Sequence, residues 1–198
     1  MDYTFNIYNK MAATGLVMAL SRHLGSDGPL PVVVCVGSDL AIGDSLGPVC
    51  GTLLQRKTAG GLFVYGTLKK SVTAKEVPYL NAFLRETHPG RPIVAVDAAV
   101  GQADDIGLIK LTTSGIRPGL GANKKLGRLG DVGILGIVAE KSLFNYSLLN
   151  LTRLGLVYRA AETIAAALVD YAAKVNAPTP LRDRFWGRNG PSAFGQSA

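Results

Sequence analysis

Two carboxylic acids, Asp44 and Asp97, are the side chains best suited to chemistry in this sequence of 198 residues. Asp97 closes an apolar run typical of a buried strand, and Asp44 closes the loop that follows another such run. In an open parallel sheet the ligand crevice lies outside the carboxyl ends of the strands. Two carboxylates in a partly desolvated crevice take different pKa values, so that one serves as acid and the other as base. The pair therefore predicts acid/base hydrolysis by an activated water.

Each acid also has a structural alternative. Asp44 could be a helix N-cap, but Pro48 would then occupy the first position whose N–H is needed inside the helix. An N-cap at Ser45 or Gly47 avoids that loss, because it moves Pro48 into the first turn. This favours an Asp44 side chain that is free of capping. Asp97, as an acid in an apolar strand, could instead hold loop amides by hydrogen bonds.

Other chemically capable side chains form poorer constellations. We expect Ser38 and Asp39, in the same loop as Asp44, to bind substrate or position the backbone. The two cysteines, Cys35 and Cys50, lie in apolar runs and are expected to pack as small hydrophobic residues. The two histidines, His23 and His88, stand near the ends of predicted helices, where we expect helix C-terminal cations or surface residues. None has the spacing of a zinc site, so we expect no metal. No phosphate loop, dinucleotide fingerprint or nucleophile elbow suggests a cofactor.

The elements that must position these acids alternate along the chain. Continuous apolar runs typical of covered parallel strands occupy residues 31–37, 92–100 and 132–139, with further strand-like runs at residues 63–68 and 106–113. Helical spacing predicts helices at residues 8–24, 46–56, 77–87 and 144–175, the last with a break near Gly155. This alternation predicts an α/β fold, a three-layer α/β/α sandwich of phosphorylase/hydrolase-like type on a mostly parallel sheet.

The composition indicates how many domains the chain forms and in which cellular compartment it is expected. With 47% hydrophobic and 18% charged residues the chain should fold, as one domain over residues 1–175 and a weakly ordered basic tail over residues 176–198. Two cysteines do not make a secreted disulfide framework. We find neither an apolar run of membrane-spanning length nor a signal peptide at the start. We therefore expect a soluble cytoplasmic protein.

The formal net charge of +7 raises the question of nucleic acid, which requires clustered cations. A glycine-rich stretch at residues 115–131 is too long for a simple connector. Residues 106–130 contain no acid and five cations, Lys110, Arg117, Lys124, Lys125 and Arg128, and the tail adds three arginines against Asp183. A peptide substrate with acidic side chains explains these charges without nucleic acid, and a merely solvated loop and tail is the alternative.

Four motifs in order carry a family resemblance. They are VGSD at residues 36–39 with GDSLGP at 43–48, VAVDA at 94–98, PGLGANK at 118–124 and NLTRL at 150–154. Over residues 31–168 the chain resembles the spore germination protease superfamily, and most closely its short YyaC-type sporulation relatives. The same fold is shared with hydrogenase maturation endopeptidases.

The resemblance implies an atypical aspartic-type endopeptidase with Asp44 and Asp97 as its catalytic carboxylates. Its substrate would be a protein or peptide, with small acid-soluble spore proteins as the class, and the glycine-rich loop would flank the site through Gly119, Gly121, Asn123 and Lys124. The maturation endopeptidases bind a metal with the matching acids and a histidine, but no histidine stands in the later loop here.

Two further functions stay open beside this one. The first is a non-catalytic sporulation protein whose basic loop binds an acidic partner or nucleic acid. The second is a metal-dependent maturation endopeptidase. Membrane association is not expected, and a homo-oligomer is compatible with each of the three functions.

Overall fold

The computed structural model describes residues 2–73, 75–118, 127–141 and 152–176. These residues contain six strands: β1 (Tyr3–Asn6), β2 (Val32–Cys35), β3 (Phe63–Tyr65), β4 (Ile93–Gly101), β5 (Leu108–Thr112) and β6 (Val132–Glu140). They also contain four α-helices: α1 (Ala12–Leu24), α2 (Leu46–Thr58), α3 (Val77–Thr87) and α4 (Leu154–Asn176). Short 3₁₀ turns at Gly43–Ser45 and Ala103–Asp105 follow β2 and β4.

The strands form one sheet in the order β1-β5-β6-β4-β2-β3. Strands β3, β2, β4 and β6 run parallel, and β5 and β1 extend the sheet with antiparallel pairs. Side chains of α1, α2 and α4 pack in the cluster on one face, and those of α3 pack in the cluster on the other. The predicted α/β sandwich with a mostly parallel sheet is confirmed.

The strand composition explains the layers. All four residues of β2 are buried, as expected for an interior strand that is covered on both faces. In β5 buried and half-buried residues alternate, as in a more exposed strand. Strand β3 is shorter than predicted, because Gly66 follows it with a φ of 87° and turns the chain away. Strand β1 was not predicted, since its four residues are too few to establish an alternation.

The start of one helix differs from the prediction. Helix α1 begins at Ala12, because the preceding residues form turns in which Asn6 and Asn9 accept backbone N–H groups with their side chains. Helix α4 begins at Leu154, so a helix boundary lies next to Gly155, where the break was expected. Residues 142–151 and the tail from 177 to 198 lie outside the described residues. No helix in the described part of the chain is long and apolar enough to cross a membrane.

Candidate active site

The sheet has a topological switch point between β2 and β4. Strand β2 connects through α2 to β3 on one side, and β3 connects through α3 to β4 on the other side of β2. The two connecting helices lie on opposite faces of the sheet. Open α/β sheets bind ligands at such a point, outside the carboxyl ends of the strands. The site is therefore expected where β2 ends.

Asp97 lies at this place, although not at a strand end as the sequence suggested. Strand β2 pairs with β4 as far as Cys35 opposite Val96, so Asp97 is the first residue of β4 beyond the end of β2. Strand β4 itself continues to Gly101 through its pairing with β6. Because side chains alternate along a strand, Asp97 points to the same face as Ala95, which is the face covered by α3.

The Asp97 carboxyl is almost completely removed from solvent. Its residue is 8% exposed, and its Oδ1 accepts the backbone N–H of Ala98 at 2.9 Å. Burial raises the pKa of Asp97 well above its ordinary value, and the nearby charge of Asp44 raises it further. The Ala98 hydrogen bond opposes these two effects. The carboxyl is thus biased toward its protonated form, which can donate a hydrogen bond.

Asp44 is the more accessible of the two acids. It lies in the 3₁₀ turn Gly43–Ser45 and is half-buried. Burial raises the pKa of Asp44, and a hydrogen bond from the backbone of Ser38 lowers it. Helix α2 starts at Leu46, so Pro48 is its third residue and Asp44 does not cap it, in agreement with the sequence argument. The Asp44 carboxyl is therefore available for chemistry.

Two glycines that the sequence analysis treated only as motif members bring the turn onto the end of β2. A Cβ on Gly47 would lie 1.9 Å from the carbonyl oxygen of Val36, so α2 begins in direct backbone contact with the strand. Gly37 has a φ of 139°, and a Cβ there would lie 2.1 Å from the carbonyl oxygen of Asp44. Only glycine allows both approaches. The available signal was a glycine directly after the apolar run and another in the first helical turn.

The neighbouring loop residues have backbone contacts. The N–H of Ser38 donates to the backbone oxygen of Asp44 at 3.2 Å, and the Ser38 Oγ accepts the N–H of Leu40 at 3.2 Å. Gly37 donates its N–H to Val72 at 2.8 Å, which ties the loop to the segment after β3. Asp39 is exposed in the same loop. The hydrogen bonds of Ser38 thus hold the loop that carries Asp44 in shape.

The glycine-rich loop is described only at its base. Gly119, Gly121, Asn123 and Lys124, expected to bind substrate, lie outside the described residues. At the base, Ile116 and Leu129 exchange two backbone hydrogen bonds of 2.9 Å. Both side chains are buried in the cluster on the α3 face, together with Ala95. The base of the loop therefore packs on the sheet face toward which Asp97 points.

The remaining candidates from the sequence are two cysteines and two histidines. Cys35 and Cys50 are free and buried, as expected of small hydrophobes. His23 is exposed in the last turn of α1. His88 is buried, not at the surface, and its Nε2 lies 2.8 Å from the Tyr65 hydroxyl. Within the part of the chain that the structure describes, no group of three or more His, Cys, Asp and Glu side chains has an arrangement that could hold a metal ion.

Comparison with known proteins gives a family and a relative. A family model described as "Protein of unknown function (DUF1256)" matches residues 4–167. The chain is also 36% identical over 158 residues to a Bacillus subtilis (strain 168) protein named "Uncharacterized protein YyaC". That alignment covers 79% of this chain and 77% of the relative. The similarity to YyaC-type proteins predicted from the motifs is thereby confirmed.

Proposed function

The chain belongs to the DUF1256 family and is of the YyaC type. We propose that this member of the family is an endopeptidase whose catalytic groups are the carboxyls of Asp44 and Asp97. One observation carries the proposal. Two carboxyl groups from different parts of the chain lie near the switch point of the sheet, close enough for the charge of Asp44 to raise the pKa of Asp97. Acids with perturbed pKa values at the ligand-binding end of a sheet are typical of catalytic sites, although structural ion pairs share this property.

The different burial of the two acids assigns their roles. Asp97 is the more buried and has the more strongly raised pKa, so it is the protonated member. Asp44 is more accessible and is the ionised member. Asp97 would donate a hydrogen bond to the carbonyl oxygen of the scissile peptide, and Asp44 would hold a water near its carbon.

Hydrolysis then follows from proton transfers alone. Asp44 takes a proton from the water as its oxygen bonds to the carbonyl carbon, and the Asp97 proton neutralises the developing oxyanion. When the C–N bond breaks, the proton on Asp44 moves to the leaving nitrogen and the carbonyl re-forms, so that Asp97 regains its proton. The products are a carboxylic acid and an amine, and both aspartates return to their starting forms.

The finer assignment is to the spore germination protease superfamily, which the motifs around Asp44 and Asp97 support. It makes small acid-soluble spore proteins the substrate class and the cytoplasm of the sporulating cell or spore the location. The cations of the glycine-rich loop, such as Lys124 and Arg128, would attract acidic segments of such a substrate.

The deciding experiment is cleavage of purified small acid-soluble spore proteins, with new peptide termini identified by mass spectrometry. Asp44→Asn and Asp97→Asn should each lower kcat/KM by about 10²–10⁴, the usual contribution of a general acid or base. The matched control is Asp27→Asn, which removes an exposed carboxylate from the turn between α1 and β2 and should keep wild-type activity.

Two results would contradict the proposal. One is cleavage that survives both dyad substitutions. The other is complete absence of product together with salt-sensitive binding that is lost on charge reversal at Lys124, Lys125 and Arg128, which would indicate a non-catalytic binding protein.

A further inference from the structure

A groove lies on the sheet face opposite to the one that Asp97 faces, between the turn after β1, the start of α1 and the start of α4. Its volume is about 470 Å³, within the usual range for sites that hold a small ligand or a few side chains. Its lining includes Ile7 and Ala13 as apolar residues, Lys10 and Arg159 as cations, and Glu162 as its carboxylate. It shares no residue with the Asp44–Asp97 site.

Exposed apolar side chains surround the groove. Tyr8 is 64% exposed, Met11 62%, Leu154 59% and Tyr158 46%. Each of them either lines the groove or is adjacent in sequence to a lining residue, and they come from two separate parts of the chain. Large apolar side chains scattered singly on a surface need no explanation, but several around one groove mark an interaction site.

The charge of the groove is positive and uncompensated within the described residues. The ion pairs among the described residues are Arg85 with Asp131 and Lys110 with Asp105. Neither Lys10 nor Arg159 of the groove therefore takes part in an ion pair with a described residue. The segment 142–151, which precedes α4, contains no aspartate or glutamate in its sequence. Two cations against the one carboxylate of Glu162 leave the groove complementary to an anionic ligand.

The groove is also held in shape before any ligand binds. The Arg159 guanidinium lies 5.2 Å from the centroid of the Tyr8 ring, a cation–π contact that restrains both side chains. Asn6 and Asn9 accept the N–H groups of Tyr8 and Met11, each at 2.9 Å, and fix the turn that forms one wall. Because the turn and the Arg159 side chain are already restrained, less conformational entropy is lost when a ligand binds.

We infer that this groove is a docking site for a peptide segment of a partner protein in which carboxylate side chains flank an aromatic or long aliphatic one. The carboxylates would pair with Lys10 and Arg159, and the apolar side chain would lie against Tyr158 and Ile7. Peptide fits better than nucleic acid, because Glu162 repels a continuous phosphate backbone, whereas spaced carboxylates can avoid it. The inference does not rest on the proposed peptidase activity.

The test measures binding by fluorescence anisotropy to the full chain carrying Asp44→Asn, so that the probe stays intact if the peptidase proposal holds. The probe is a labelled synthetic peptide, Ser-Glu-Phe-Asp-Glu-Leu-Ser, and its control replaces each acid by the matching amide. Lys10→Gln combined with Arg159→Gln should weaken binding of the acidic peptide about tenfold, the loss expected when two charge-assisted contacts are removed. The amide peptide should bind the chain with intact Lys10 and Arg159 about as weakly as the acidic peptide binds the double variant.

Matched controls separate docking from general electrostatics and from misfolding. Arg56→Gln combined with Lys57→Gln removes the same charge from an exposed part of α2 and should leave binding unchanged. Tyr158→Ala tests the apolar contact without changing charge, and circular dichroism checks that each variant is folded. Absence of saturable binding, equal binding by both double variants, or tighter binding of a dT₁₂ oligonucleotide at the same groove would overturn the inference.

Discussion

Asp97 and Asp44 interact electrostatically across the end of β2, where the charge of Asp44 adds to burial in raising the pKa of Asp97. Neither residue has this environment by itself. Asp97 is buried by its position inside β4, and the turn that carries Asp44 packs its backbone against Gly37. Because the pKa of Asp97 is raised more strongly than that of Asp44, the two acids hold a single proton over an intermediate range of pH.

The coupled pair predicts a bell-shaped dependence of kcat/KM on pH. Activity requires Asp44 to be ionised and Asp97 to be protonated, and the pKa of each is raised. The acid limb should therefore lie above the ordinary pKa of an aspartate, about 3.9, and the alkaline limb should lie above the acid limb. Steady-state assays across pH with the cleaved spore protein measure both limbs.

An independent readout needs no substrate. The infrared band of a protonated carboxyl should be present between the two limbs and missing in Asp97→Asn. A pH–rate profile without an alkaline limb, or a carboxyl band that Asp97→Asn leaves intact, would contradict the assignment of Asp97 as the acid.

Asp97→Asn should stabilise the fold near neutral pH. A carboxyl with a raised pKa binds its proton more tightly in the folded state, so its contribution to stability is full below the unfolded pKa and is lost as pH rises through the folded pKa. Asparagine avoids this loss, and its Oδ1 can still accept the N–H of Ala98. We expect a higher Tm for the variant at pH 7, by about 2–4 °C for each kcal/mol gained in a chain of this size.

Thermal unfolding of wild type and variant at several pH values measures this gain. The gain should vanish near pH 3, where the wild-type carboxyl is protonated in both states. Asp39→Asn, at an exposed position, is the control for a surface substitution and should change stability by less than about 0.5 kcal/mol. A variant that is less stable than wild type at neutral pH would argue against a costly buried carboxylate.

Gly47→Ala should destabilise the chain through overpacking. The added Cβ would lie 1.9 Å from the backbone oxygen of Val36, which cannot move without shifting β2. The expected cost is about 2–3 kcal/mol in urea unfolding. Gly155→Ala is the matched control, because a Cβ there meets nothing within 4 Å, and it should stabilise helix α4 by about 0.4–1 kcal/mol. Equal effects of the two substitutions would show that α2 is not clamped to β2.

Asp131→Ala should cost more than Arg85→Ala, although the two residues form one ion pair. The Asp131 carboxylate accepts the Arg85 guanidinium at 2.6 Å and also the backbone N–H of Ile93 at 2.8 Å. Loss of the carboxylate leaves that N–H without its acceptor, which should lower the free energy of unfolding by about 1–2 kcal/mol. Loss of Arg85 removes only an exposed pair worth less than about 1 kcal/mol. Urea unfolding of both variants compares them, and a larger cost for Arg85→Ala would contradict this order.

The hydrophobic pattern predicted most of the sheet and the helix boundaries that depend on local signals. Helix α3 occupies the predicted residues, and α2 begins at the predicted Leu46, since the apolar spacing and a nearby proline are local features. Strand β1 could not be predicted, because a four-residue strand is stabilised by its pairing with β5 and not by its own sequence. The start of α1 was placed too early, since the turns held by Asn6 and Asn9 depend on side-chain hydrogen bonds.

For the candidate site, the sequence by itself determined which two acids are the candidates and favoured an Asp44 that does not cap the helix. Residue type and the position of Pro48 were enough, because both arguments concern neighbours along the chain. Only the tertiary structure decided that Asp97 lies inside β4 beyond the end of β2, and that it is buried beside Asp44. Burial and charge coupling arise from contacts between segments that are distant in sequence, and local patterns carry no information about their distances.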